Sequence, residues 1–221
     1  MKSTILLSIA LCPSVWSATA LAGQSESAAK PNFIFTTDNG PWIRFKHHGG
    51  SALPLRDGKG TTFEGGQRVP CIMWGPGRIP AGTSSDEFAS TPDLLPTITS
   101  LAGSELPQKN RIDGHDLTKT IMGDAPSPRT ELIYYSARGS LEGLRQGDWK
   151  LLIKMPRVEQ AKRDKAKTSQ PQIMLFNLAD DLSETINLAD KNPAKVKALR
   201  ARMIELDDEI TANARSVWRK N

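Results

Sequence analysis

Leu55-Arg56-Asp57-Gly58-Lys59-Gly60-Thr61-Thr62-Phe63-Glu64-Gly65-Gly66-Gln67-Arg68-Val69-Pro70 shows neither the 3.6-residue period of a helix nor the alternation of a strand. Glycine at 58, 60, 65 and 66 lets the backbone turn where other residues would clash and approach a ligand closely. Lys59 lies between two of those glycines, where backbone N–H groups and an ammonium converge on an anion. The stretch is not a Walker loop. Gly60 follows the lysine where Ser or Thr is required, and Leu53 holds the earlier glycine position. Glu64 reads either as a base or as an ion-pair partner of Lys59 or Arg68.

Outward from this loop the chain becomes regular. Pro31 to Thr37 is short, aromatic and β-branched, and reads as a buried strand ending at Asp38-Asn39-Gly40. Asp38 and Asn39 offer the hard oxygens that Ca²⁺ or Mg²⁺ takes, although two are few for an ion that wants about six to eight. An Asn-Gly pair is equally the mark of a simple turn. The whole run from Gly40 to Gly66 reads as a long functional loop on a rigid scaffold. His47 and His48 are adjacent, so their side chains diverge, and with only His115 besides they read as loop residues, not a zinc site. Arg68 to Trp74 is a second apolar strand, closed by Gly75-Pro76-Gly77. Thr91-Pro92-Asp93 opens a helix, with Thr91 as cap, that carries Leu94, Leu95, Ile98 and Leu101 and stops at Gly103. A second short helix is expected from Asp113 to Met122.

Beyond Pro128 the pattern changes. Stretches 131–136, 143–146, 148–153 and 173–178 read as four antiparallel strands, with a tight turn at Gln146-Gly147. Pro193 to Ala214 is an amphipathic helix whose Val196, Leu199, Met203, Leu206 and Ile210 are assigned to the core. A boundary between two segments is expected near 125–130.

The chain has 221 residues and a formal net charge of +5, and most of that excess sits in the basic stretch from Lys154 to Lys167. A general nucleic-acid-binding surface is therefore not expected, and the stretch reads as a solvated loop or, alternatively, a site for an acidic ligand. The 17 Gly and 15 Pro exclude neither a core nor a fold, and no apolar run after residue 22 reaches the roughly 20 residues a membrane span needs. Lys2, the apolar stretch from Ile5 to Trp16 and the Ala20-Leu21-Ala22 ending read as a secretory leader, 1–22, so that the protein is expected to be exported to the periplasm or beyond. Cys12 would leave with it, and Cys71 alone cannot form an internal disulfide.

Several of these motifs together carry a resemblance. Phe35 to Trp42, Gly49-Gly50-Ser51-Ala52, the stretch 55–70, Ser90 to Thr97, Ile112 to Leu117 and Leu144 to Leu151 closely resemble the later half of a type I sulfatase of the arylsulfatase A kind, in the alkaline-phosphatase superfamily. Asn177-Leu178 to Asn187-Leu188-Ala189 resembles the closing segment of that family. The resemblance implies an α/β fold: a truncated sulfatase-like sheet remnant over 31–127, then a small α+β subdomain over 128–221 with a four-stranded antiparallel sheet and a C-terminal helix. It also implies that Asp38 and Asn39 ligate an active-site Ca²⁺ and that Lys59 contacts the sulfate of an ester, either a small molecule or a glycan. Both positive groups would neutralise a sulfate oxyanion as the S–O bond breaks.

The departures matter equally. Such sulfatases use a formylglycine made from Cys or Ser in a Cys/Ser-x-Pro-x-Arg motif, and neither Cys12-Pro13-Ser14-Val15 nor Ala125-Pro126-Ser127-Pro128-Arg129 has it. The paired Asp after the family's first strand and its central Lys and His residues are missing too. Ala29 to Phe35 resembles the family's opening strand, yet Thr36-Thr37-Asp38-Asn39 belongs to a much later one. The text reads as a sulfatase with its middle removed, by a gene deletion or a gene-model error. Strands that lose partners over a few hundred Å² forfeit several kcal/mol at ~25 cal/mol per Å², so marginal folding is expected over 31–125 and firmer folding over 130–215. Two functions are expected in competition: a sulfuric ester hydrolase by descent, and a non-catalytic exported remnant that at most binds anions or sulfated glycans. A relative acting on phosphate esters is the weaker third.

Overall fold

A computed structural model describes residues 33–109, 111–154 and 171–214, all within the unit Asn32–Asn221. The expected leader and most of the basic stretch (residues 155–167) lie outside the described residues, as does whatever they would contribute.

A two-stranded ribbon precedes a larger, four-stranded sheet in the chain. The ribbon pairs β1 (Phe33–Thr36) with β2 (Cys71–Trp74), antiparallel, setting Phe33 opposite Trp74 and Phe35 opposite Ile72. The larger sheet is an antiparallel meander of β3 (Glu131–Tyr135), β4 (Leu141–Gln146), β5 (Trp149–Lys154) and β6 (Gln172–Asn177). Gly147, at φ 56°, makes the β4–β5 turn that joins Gln146 to Trp149 across the ladder.

Strand alternation decides how this sheet is covered. On one face Leu144, Leu151 and Leu175 meet Leu199 and Met203 of the C-terminal helix, called α4 here (Pro193–Asn213). On the other face Leu152, Met174 and Phe176 pack with Phe63, which comes from the glycine loop. The loop thus serves as the second covering layer of the sheet. The open edge of β6 is closed by Asn187, whose amide oxygen accepts from Leu175 N–H at 2.9 Å while its amide nitrogen donates to the Ile173 carbonyl at 3.1 Å.

Between these parts run α1 (Glu64–Gln67), α2 (Leu94–Leu101) and α3 (Thr118–Met122). The start of α2 differs from the sequence reading: a 3-10 turn over Thr91–Asp93 precedes it, and the backbone N–H of Ser90, not of Thr91, donates to the Asp93 carboxylate at 2.8 Å. Helix α3 is shorter than expected: residues 113–115 are instead tied to the Asp93–Arg129 pair, with His115 N–H donating to Asp93 at 2.7 Å and the Asp113 carbonyl accepting from Arg129 at 3.0 Å. Asp93 and Arg129 form a bidentate pair at 2.5 and 2.7 Å.

Two burial expectations are corrected. The strand at 33–36 was expected to be buried, but Phe33 and Phe35 are 59% and 64% exposed, and Ile72 and Trp74 on the facing strand are exposed with them. Among the described residues no layer lies over that face. Ile210 was assigned to the core and is 36% exposed. The packed residues of α4 end at Leu206, and the helix continues past the sheet beyond them.

Candidate functional site

The glycine loop and the Asp38-Asn39 turn are stitched together through their backbones. Gly40 N–H donates to the Gly66 carbonyl at 3.3 Å, and Lys59 N–H donates to the Pro41 carbonyl at 2.9 Å. Glycine is required at these crossings. A Cβ on Gly40 would sit 1.8 Å from the Gly65 carbonyl oxygen, and one on Gly58 would sit 2.5 Å from that of Pro41. Within the loop, Gly65 N–H closes back on the Arg56 carbonyl at 2.9 Å, and the Thr61 hydroxyl donates to the Gly58 carbonyl at 2.9 Å.

Asp38, exposed, and Asn39, half-buried, line an open cleft of roughly 630 Å³ together with Gly40, Ser51, Leu53 and Arg68. Lys59 is exposed and is not part of that lining; its ammonium lies 5.2 Å from the centre of the Trp42 ring. The backbones carrying the three candidate residues are therefore joined, while the lysine side chain stands outside the cleft. His47 and His48 end an exposed 3-10 segment (Ile43–His48), and His115 engages Asp93 through its main chain. Among the described residues no group of three or more His, Cys, Asp or Glu side chains could hold a metal. Asp38 and Asn39 are hard donors of the kind Ca²⁺ takes, but they are two donors where about six to eight are needed. They fit a part of a calcium site only.

Glu64 takes neither role read for it. It is 2% exposed and accepts from Lys150 of β5 at 2.7 Å, while Arg68 instead comes within 3.7 Å of the exposed Asp86. Lys150 is fully buried and also lies 3.0 Å from Glu184. Burial pushes the Glu184 carboxyl above its ordinary range, against the pull of Lys150. Burial also lowers the Lys154 ammonium, despite Glu142 and Asp57 nearby, and that ammonium stacks 3.8 Å from the Phe63 ring centre. Sequence reading passed over Lys150 and Glu184. The available signal was parity: in Trp149–Lys154 a lysine occupies the same face as Leu152.

The family model described as Sulfatase matches residues 20–104. Arylsulfatase A of Bos taurus is 40% identical over 174 residues, covering 71% of this chain and 33% of that protein. N-acetylgalactosamine-6-sulfatase of Canis lupus familiaris is 44% identical over 118 residues, 53% of this chain and 22% of that protein. The PsFucS1 sulfatase from Pseudoalteromonas sp. superposes with a TM-score of 0.67 at 26% identity, over 84% of this chain and 38% of its own. The fold is that of a sulfatase. These likenesses are consistent with a partial chain of the sulfatase family, one that spans about a third of the length of the Bos taurus arylsulfatase A.

Proposed function

We propose that this chain carries the later segment of a sulfuric ester hydrolase site and, by itself, binds without turning over. In this reading residues 31–127 are part of the catalytic domain, residues 128–221 are its C-terminal subdomain, and residues 1–22 direct export. Asp38 and Asn39 would hold part of the shell of a Ca²⁺, and that ion would supply positive charge to the sulfate oxygens. Lys59 presents an ammonium to the same anion, and the glycine amides beside it leave room for close approach. The ester is an aryl or carbohydrate sulfate, in keeping with the names of the relatives. The supporting observation is the backbone stitching of Gly40–Gly66 and Lys59–Pro41, which keeps the Asp38-Asn39 turn beside the lysine loop.

Hydrolysis is assigned to the family and withheld from this chain because its sequence contains no Cys/Ser-x-Pro-x-Arg motif to furnish the nucleophile. The second reading, an anion or sulfated-glycan binder without catalysis, is favoured by that same absence and by the basic residues 154–167. The test is release of sulfate from a nitrophenyl sulfate by the full chain with Ca²⁺ present, paired with a calcium titration of the chain and of Asp38→Ala. No release above buffer is the expected outcome, and any calcium heat that the unsubstituted chain gives should be lost in Asp38→Ala. Sustained release abolished by Lys59→Ala would overturn the non-catalytic part. Sequencing the locus and transcript across Phe33–Asp38 decides whether a central segment with the motif accompanies this one.

A further inference from the structure

We propose that Lys150 and Glu184 are positioning residues for the glycine loop: a buried Glu64–Lys150–Glu184 ion triad fixes residues 56–66 and keeps the Glu64 carboxylate away from Lys59.

Glu184 holds both ends of the loop. Its carboxylate accepts from Glu64 N–H at 2.6 Å, its backbone carbonyl accepts from Arg56 Nη1 at 2.7 Å, and its other carboxylate oxygen faces Lys150. It does so at φ 53°, a backbone region that a glutamate adopts only when its surroundings dictate it. Lys150 completes the triad from β5, with its ammonium 2.7 Å from Glu64 and 4.8 Å from the Tyr134 ring centre. All three charged side chains are out of solvent. Apolar residues would fill the same space with less desolvation, but they would not dictate which way Glu64 points. The neighbouring Phe63 does the packing, and the triad supplies direction.

Direction matters because Glu64 lies only five residues from Lys59 in the chain. Drawn inward to Lys150, it cannot neutralise Lys59, and among the described residues Lys59 has no ion-pair partner. An ammonium left without a carboxylate is the one available to an external anion. Only this last step rests on the proposed sulfate role; the positioning itself does not.

The test is backbone hydrogen exchange on the full chain, comparing the unsubstituted protein with Lys150→Met, Lys150→Arg and, as a surface ion-pair control, Arg202→Met. Exchange across 56–66 is expected to rise about tenfold or more in Lys150→Met while 193–213 changes by less than about twofold, with recovery toward the parent in Lys150→Arg. Equal acceleration in both segments, or none in the loop, overturns the proposal. Should Lys150→Met fail to fold, Glu184→Gln keeps the side-chain shape and is expected to show the same loop-selective rise; its absence would likewise overturn it. A titration with inorganic sulfate followed at the Gly58 and Gly60 amides separates the two readings. Loop-selective exchange without any sulfate response in the unsubstituted chain upholds the triad and retires the role given to Lys59.

Discussion

Arg129 illustrates what a single residue contributes here. Its guanidinium meets both oxygens of Asp93, which also accepts from His115 N–H and Ser90 N–H, so one carboxylate joins α2, the 113–115 link and the entrance to β3. Both side chains are almost wholly buried. Removing one partner leaves the other charge unpaired, and Arg129→Met is expected to cost about 3–5 kcal/mol in urea unfolding. Burial opposes ionisation of Asp93, but its hydrogen bonds and the Arg129 charge outweigh it and hold the carboxyl below its usual range. A depressed folded value means the stabilisation is present above the unfolded value of about 3.9 and is lost as pH falls through the folded one. Urea midpoints should therefore decline below about pH 4, and the decline should be shallower in Asp93→Asn. Glu184, raised by burial, slopes the opposite way: it favours the folded state on the acid side and weakens it as pH rises through its folded value. None of this was legible at residue level. Arg129 stood out in the sequence only as the end of a failed motif match, because its partner lies 36 residues away.

At the scale of elements, period and turn chemistry located the strands of the meander and the C-terminal helix to within a few residues. They could not say what covers each face. Trp149–Lys154 is apolar at positions of both parities, which is the mark of a strand buried on two sides, and the second cover proved to be a loop. The β1–β2 ribbon carries the same mark, yet its Phe33, Phe35, Ile72 and Trp74 stand in solvent. Polar replacement there removes little packing. Phe35→Thr with Ile72→Thr is expected to shift stability by no more than about 0.5 kcal/mol per site while lowering light scattering at high protein concentration. A large loss of stability in that double variant would mean the face is covered after all.

For the molecule as a whole, the sequence-level boundary near 125–130 separates two segments that nonetheless share charges and core: Phe63 and Glu64 belong to the first by number and to the meander by contact. Protection against exchange is expected to follow contact. Residues 56–66 should exchange with the sheet, and 33–36 and 71–74 well before it; uniform protection across 33–101 would contradict this ordering. Asp38, Asn39 and Lys59 could be put forward as candidates from their side-chain chemistry alone, whereas the residues that hold their loop in place, being distant in the chain, were illegible. That distance has a consequence for the order of assembly. Glu64 and Glu184 are separated by 120 residues in the chain. At a synthesis rate of roughly 5–20 residues per second, the loop is out of the ribosome about 6–24 seconds before its last anchor exists. Throughout that interval the lysine loop lacks the residue that ties its two ends together, and its final conformation is a late acquisition of biogenesis.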